Sequence, residues 1–381
     1  RKAGGVYYTP DYIVDYIVEN TVGEKLSPRT PSPRTPGGGK ASRGAQPLTP
    51  EEIASLKILD PACGSGSFLI GAYDYLIRYH LEYYLKNNTR RDKSQSAGII
   101  YEVGEGKYKL STKTKSEILV NNIFGVDIDQ QAVEVTKLSL LLKVLEDENL
   151  EYKEKLFKTE QLHMLPDLSA NIKCGNSLIG SDYYADKNME MFGSTEMRKV
   201  NVFDWEKEFL TSPPGPLSSK RGGDSDWGFD CVIGNPPYVR QELLSESKEY
   251  FQSHYSTFQG TADLYVCFME KGYNLLRKDG LFSYIVANKW MRANYAKGLR
   301  SWLSKKDIVE IIDFGDLPVF QQATTYPCIF KIRKSEPSGK ISAVNVDDLN
   351  FASLGDYVKG KRFDVAQDRL SVEGWHLTNT A

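Results

Sequence analysis

"LKILDPACGSGSFLIGAYDYLIRYHLEYYLKN", residues 56–87, decides the fold class. Residues 56–62 read as a short buried strand. Gly64 and Gly66 interrupt it, and then Phe68, Leu69, Ala72, Leu76 and Tyr79 fall on one helical face. A strand, a glycine turn and a long helix make one unit of an alternating fold, and the unit recurs. "NIFGVDID" (122–129) is a strand that leads into the helical "QQAVEVTKLSLLLKVLE", and "NIKCGNSLIG" (171–180) and "FDCVIGN" (229–235) are further strands. "ADLYVCFMEKGYNLLRKDG" (262–280) reads as a helix capped by Gly280, followed by the strand "LFSYIVAN" (281–288). "KGLRSWLSKK" is helical, and strands are expected at 308–316 and 326–334. Such alternation implies an α/β fold with a doubly wound, mostly parallel sheet. The last two strands have no long helix between them, so an antiparallel edge is expected.

The chain has 381 residues, is 40% hydrophobic and carries a net charge of −2. It is long enough for one large core or two smaller ones. No apolar run reaches the roughly 18 residues a membrane span needs. Five cysteines without a CxxC pair, an odd number, disfavour a disulfide framework and fit a reducing cytoplasm. Four isolated histidines give no metal-ligand spacing, so no metal site is expected. The opening Arg1-Lys2-Ala3-Gly4-Gly5 has neither an initiator Met nor a signal-type apolar region, as expected of a piece of a longer protein. Two Pro/Gly/Ser-rich stretches, about 27–50 (with a tandem SPRTP) and 212–226, cannot repay the entropy of ordering. They read as disordered surface insertions, and 87–116 as a third, partly ordered one.

Ligands of open α/β sheets bind outside the carboxyl ends of the strands. Three strand ends carry suitable chemistry. At the first, Gly64 and Gly66 let a ligand approach the backbone, but Leu69 stands where a dinucleotide fingerprint needs its third glycine. Asp60 beside them disfavours a pyrophosphate and favours a cationic or hydroxyl-bearing ligand. At the second, Asp127 suits ribose hydroxyls, although Asp127 or Asp129 as a helix N-cap explains the pattern equally well. At the third, Asn176 can pair with an adenine edge or simply make a turn. Upstream, "GGVYYTPDYIVDYIVE" (4–19) places Thr9 to cap a helix that begins at Pro10. In "FDCVIGNPPYVRQE" (229–242) two prolines end the strand and fix an amide, a spare carbonyl and an aromatic within four residues.

GxYYTP, DPACGSGSF, GVDID, CGNSL and NPPY occur in that order. The pattern resembles the gamma-class adenine-N6 DNA methyltransferases, and more narrowly the catalytic part of type IIG restriction-modification enzymes. The similarity spans about 4–335, less the insertions, and includes "ADLYVCFMEKGYNLLRKDGLFSYIVANKWM" and "IVEIIDFGDLPVFQQATTYPCIF". It implies a Rossmann-like class I methyltransferase fold with a seven-stranded sheet, and S-adenosyl-L-methionine as cofactor. Tyr8, Thr9 and Pro10 would cover the methionine part, and Asp60 would face its ammonium. Asp127 would hold the ribose, Asn176 with Ser177 would read the adenine, and Ala62, Gly64, Gly66 and Ile128 would also contact the cofactor. Many relatives have Asp where Asn176 stands, and an amide accepts from the adenine amine more weakly.

The resemblance assigns catalysis to Asn235, Pro236, Pro237 and Tyr238. The Asn235 oxygen and Pro236 carbonyl would accept the two hydrogens of an adenine amine extruded from duplex DNA. Pro237 would fix that carbonyl, and Tyr238 would stack on the base. Phe320, with Tyr326 as a rival, would stack on the other face. Lys289, Arg292, Lys297 and Arg300 would meet phosphates, unless they line a solvated helix face. Residues 1–335 are the expected catalytic domain. Residues 336–381 are the expected entry to a C-terminal target-recognition region on the same chain, which is expected to be monomeric. No nuclease motif is evident. Rival readings are a protein-glutamine or RNA methyltransferase sharing NPPY, an inactive DNA-binding remnant, and a dinucleotide oxidoreductase, the last disfavoured by Asp60 and Leu69.

Overall fold

The computed structural model describes residues 8–27, 47–87, 98–146, 165–185, 200–210, 227–239, 247–320 and 325–378. The strands of its main sheet are β1 (Ile58–Asp60), β4 (Ile123–Asp127), β5 (Ile172–Cys174), β6 (Phe229–Gly234), β7 (Leu276–Ala287), β8 (Asp307–Asp313), β9 (Pro327–Arg333), β10 (Lys340–Asn345) and β11 (Phe363–Ala366). A separate hairpin pairs β2 (Ile100–Gly104) with β3 (Lys107–Leu110). The helices that position the site are α1 (Asp11–Val18), α2 (Ser67–Asn87), α3 (Thr112–Asn122), α4 (Gln130–Val144), α5 (Tyr265–Asn274), α6 (Lys297–Leu303) and α7 (Leu354–Lys361).

The main sheet has the order β11-β10-β8-β9-β7-β6-β1-β4-β5. The seven expected strands are all in it, and β10 and β11 extend it to nine. The sheet therefore continues past 335, where the sequence placed the catalytic domain's boundary. β8 leaves an open edge on which β10 pairs in parallel, register Ser342↔Glu310. The strand set antiparallel by the lack of a helix after β8 is β9, and it lies inside the sheet between β7 and β8. The antiparallel edge is β11 instead, paired with β10.

Alternating side chains point to opposite faces. Ile58, Ile233, Ile285 and Ile329 enter one apolar cluster with α1, α2 and α4. Leu59, Val232, Val286 and Phe330 enter the other, with α5, α6 and an aromatic group of Phe124, Phe203, Trp205, Phe209 and Phe229. Phe68, Leu69, Ala72 and Leu76 of α2 are buried as the helical spacing required.

Several local expectations change. The insertion at 212–226 lies outside the described residues, as do 28–46 and 88–97 of the other two. The end of the first is ordered, since Thr49 and Glu52 cap the short helix Pro50–Ile53 reciprocally. Gly280 is not a helix cap. α5 stops at Asn274, and the chain enters β7 with a bulge between the pairs Phe229↔Leu276 and Cys231↔Leu281. Gly280 sits in that bulge, where a Cβ would lie 2.8 Å from the Arg277 carbonyl oxygen.

The N-terminal helix is strapped across the back of the sheet, which fixes the residues before it. Tyr16 donates to Glu310 at 2.7 Å, and Glu24 pairs with Lys331 and Arg333, each at 2.6 Å. Close packing of α1 on α2 needs Gly71, because a Cβ there would be 2.6 Å from Val14 Cγ1.

Arg300 is not a phosphate contact. It is fully buried and donates to the carbonyls of Trp290, Ala293, Val372 and Glu373, locking residues 370–377 onto α6. Truncation would take a donor from each of those carbonyls, of which only that of Ala293 keeps another partner among the described residues, the Ala296 amide at 3.2 Å. Arg300→Ala is expected to lower unfolding free energy by about 2–4 kcal/mol in urea titrations, and a loss below about 0.5 kcal/mol would contradict this role.

Candidate functional site

The carboxyl ends of β1, β4, β5 and β6 lie side by side, because the chain winds outward from β1 and returns on its other side at β6. Asp60 ends β1 and is only 2% exposed. Its Oδ1 accepts from the Ala62 amide at 3.0 Å, and no ion pair among the described residues includes it. Burial, with Asp127 adding like charge, pushes its carboxyl up to about 8. The carboxyl rests on the backbone of Gly234, where a Cβ would lie 2.7 Å from Oδ1.

The following loop is shaped by left-handed glycines, Gly64 at φ +54° and Gly66 at φ +89°. A Cβ on Gly66 would meet Thr136 of α4 at 2.9 Å, whereas one on Gly64 would face open space. Thr136 also donates to the Gly64 carbonyl at 2.7 Å, so α4 clamps the loop from below. Asp127 is half-buried at the end of β4 and accepts from the amides of Gly64 (2.8 Å) and Asp129 (2.9 Å). The helix cap is Asp129, which accepts from Gln131. Asp127 is thereby released from the capping alternative. Ile128 beside it is 51% exposed, an apolar face at the strand end.

At the end of β5, Asn176 is half-buried and its side-chain oxygen accepts from Leu178 N at 3.1 Å. Ser177 is 3% exposed and donates to the Pro61 carbonyl at 2.5 Å. Its hydroxyl braces the loop of β5 against that of β1. Asn201 also belongs here. It has a left-handed backbone (φ 48°), donates to the Ile128 carbonyl at 3.2 Å, and accepts from Asn176 N at 2.6 Å. No periodicity or motif in the sequence marks it.

The turn after β6 meets the N-terminal segment. Thr9 does not cap α1. Pro10 occupies the cap position, and Thr9 Oγ1 instead accepts from the Asn235 amide at 3.1 Å. That bond orients the amide, leaving Asn235 Oδ1 buried with no partner. The Pro236 carbonyl likewise takes no hydrogen bond among the described residues. Pro237 and Tyr238 are half-buried, Tyr238 donating to the Ile285 carbonyl at 3.2 Å with its ring edge-on to Tyr265. Tyr8 is 70% exposed and donates to Asp11 at 2.8 Å.

Phe320 is placed differently from the expectation. It is 4% exposed and packs in the same cluster as Phe314 and Val319. Tyr326 is half-buried at the same edge of the sheet, with the Lys289 ammonium 5.9 Å from its ring centre. Lys289 and Arg292 are exposed there, while Lys297 pairs with Glu373 at 2.6 Å.

The site thus offers a buried carboxyl, a second carboxylate with an apolar neighbour, and two neighbouring acceptors without donors among the described residues. These suit a ligand bearing a cation and hydroxyls beside a group with two N–H bonds. No helix of the described residues is long and apolar enough to cross a membrane, and among them no cluster has a metal-binding arrangement.

The N-6 DNA Methylase family model matches residues 1–164, and that of the Eco57I restriction-modification methylase matches residues 121–320. The type II restriction enzyme and methyltransferase RM.Eco57I of Escherichia coli is 30% identical over 380 residues, covering 98% of this chain and 31% of its own length. The adenine-specific methyltransferase PglX of Lacticaseibacillus casei (strain Zhang) is 24% identical over 361 residues, 81% of this chain and 27% of its own. The chain spans about a third of the length of the curated relatives it matches. The type IIG restriction endonuclease BpuSI shares the fold, with a TM-score of 0.51 at 15% identity over 98% of this chain and 33% of that one. With more than half of its residues matched by one family model, the chain belongs to the Eco57I restriction-modification methylase family.

Proposed function

We propose that the chain is the catalytic part of an enzyme that transfers a methyl group from S-adenosylmethionine to the N6 amine of an adenine in duplex DNA, within a restriction-modification system. The observation that carries the reading is two neighbouring acceptors that take no hydrogen bond among the described residues, Asn235 Oδ1 and the Pro236 carbonyl, in the turn that follows Gly234, on whose backbone the buried Asp60 carboxyl rests. The donor groups fit the cofactor. Asp60 would hold its ammonium, Asp127 its ribose hydroxyls, and Ile128 with Asn176 its adenine, while Tyr8, Thr9 and Pro10 would cover the methionine end. When bound, S-adenosylmethionine supplies a methyl group activated by a sulfonium.

An adenine amine is a weak nucleophile because its lone pair is shared with the ring. Asn235 Oδ1 and Pro236 O, each accepting one N–H, favour a pyramidal nitrogen with its lone pair free for attack. Thr9 keeps the amide oxygen aimed by holding the amide nitrogen. Pro237 stiffens the backbone that presents the carbonyl. The methylated nitrogen is briefly cationic, and its surplus proton rests on the hydrogen bond to Asn235 Oδ1 until water removes it. No strong base is required, so positioning does most of the catalysis. Reaching a base in duplex DNA requires extruding it, at a cost of a few kcal/mol that stacking on Tyr238 partly offsets. Phe320 would have to leave its cluster to complete the sandwich, whereas Tyr326 needs no such move. Lys289 and Arg292 would meet the phosphates.

Full-length protein incubated with labelled S-adenosylmethionine is expected to place N6-methyladenine in duplex DNA and no label in RNA or protein. Label appearing at glutamine or in RNA would contradict the reading. Asn235→Ala is expected to lower kcat by about 10²–10³-fold while cofactor affinity is kept.

Asp60 also predicts a pH signature. Its folded-state value is raised above the unfolded one, so its contribution is present below about pH 4 and is lost as pH rises toward about 8. Asp60→Asn removes that loss. The melting advantage of the ligand-free variant over wild type is expected to be larger at pH 9 than at pH 5, and the variant is expected to lose cofactor affinity in titrations. A variant that melts lower at pH 9 would contradict the buried-charge account.

A further inference from the structure

The loop 175–180 carries Asn176 on a backbone that several groups from outside the loop hold in place. Gly175 N donates to the Asp127 carbonyl at 2.8 Å and Asn176 N to the Asn201 carbonyl at 2.6 Å. The Ser177 carbonyl accepts from Trp205 Nε1 at 3.0 Å and the Ile179 carbonyl from Phe203 N at 2.8 Å. Two tyrosines complete the set. Tyr255 donates to the Leu178 carbonyl at 2.7 Å, in a buried bond, and Gly180 N donates to Tyr250 Oη at 3.0 Å. Tyr250 in turn donates to Asp182, which His254 meets at 2.8 Å.

Both tyrosines come from the helix Lys248–His254 and the residue after it, where the described chain resumes beyond the NPPY turn. Among the described residues neither makes a hydrogen bond to Asp60 or to the catalytic turn. Space-filling does not call for the Tyr255 hydroxyl, because its ring packs on that of Phe251, 6.1 Å between centroids, in a cluster that takes phenyl rings. What a phenyl group would lack is the bond to Leu178. Leu178 N, on the same residue, donates to the Asn176 side-chain oxygen, so a shift of Leu178 passes to Asn176.

We propose that Tyr255, supported by Tyr250, is a positioning residue for the cofactor's adenine, acting through the 175–180 loop. The inference rests on the reading above that this edge binds S-adenosylmethionine. An unpaired Leu178 carbonyl, buried in an apolar cluster, cannot stay where it is. The loop then relaxes and Asn176 loses its place, while Asn235 and its neighbours keep theirs. The effect falls on binding of the adenosine half and spares the chemical step.

The test compares Tyr255→Phe with Tyr73→Phe in the full-length protein. Tyr73 is a matched control, since its buried hydroxyl donates to the Lys115 carbonyl between α2 and α3. Tyr255→Phe is expected to raise the KM for S-adenosylmethionine, and the Kd for 5′-methylthioadenosine, about tenfold, with kcat at saturating cofactor and KM for DNA within about twofold. Tyr73→Phe is expected to lower the melting temperature comparably and leave all four constants unchanged. Should Tyr255→Phe not fold, Tyr250→Phe, at a half-exposed position, is expected to weaken both adenosine ligands about threefold. The inference is overturned if the folded tyrosine variants keep wild-type affinity, or if Tyr73→Phe weakens binding equally. It is overturned as well if Tyr255→Phe lowers kcat and leaves KM alone. Wild-type protein that bound neither ligand would overturn the underlying reading, and this inference with it.

Discussion

The contact between the Asp60 carboxyl and the backbone of Gly234 governs the rest of the site. β1 and β6 run in parallel with Leu59 opposite Val232, so their carboxyl ends arrive together. A side chain at 234 would drive them apart, since even a Cβ would lie 2.7 Å from Asp60 Oδ1. With glycine there, the buried carboxyl and the two acceptors of Asn235 and Pro236 share one corner. Under the proposed function, sheet register would set the cofactor's ammonium and the adenine's amine in neighbouring places.

That arrangement has an energetic cost in the ligand-free protein. A carboxyl this deeply buried without a cation destabilises its own ionised form, which is why it resists ionisation near neutral pH. Fold stability has to come from elsewhere, and it does. Two apolar clusters cover both faces of a nine-stranded sheet. The ion pairs of Glu24 with Lys331 and Arg333 on β9, with the Tyr16 bond to Glu310 on β8, anchor the N-terminal segment that places Thr9 against Asn235. The strained chemistry sits at one edge of a rigid platform, as expected of a functional site.

Much of this was legible in the sequence where local chemistry decides structure. Gly64, Gly66 and the Pro236-Pro237 pair mark strand ends whatever surrounds them, and Asp60, Asp127 and Asn176 stand where ligands of such sheets bind. Long-range partners were not legible. Thr9 looks like a cap because threonine before Pro-Asp is a local signal, whereas its bond to Asn235 crosses 226 residues. Arg300 looks like a solvated helical charge because nothing nearby reveals the carbonyls of Val372 and Glu373. Gly280 follows a helical run and still lies in a bulge, because pairing with β6 captures the chain from Leu276 onward. β10 and β11 are short and of mixed polarity, so only the free edge of β8 shows that they belong to this sheet. The roles of Asn201, Tyr250 and Tyr255 depend on backbone groups of another loop, which residue identity does not announce.

The central claim is that one corner of the sheet holds the activated methyl against an extruded adenine's amine. A crystal structure with sinefungin, whose amine replaces the transferable methyl, tests it most directly. The account requires that amine within about 4 Å of Asn235 Oδ1, with the ligand's amino-acid ammonium on Asp60. Sinefungin bound away from Asp60, or with its amine more than about 8 Å from Asn235, would contradict it.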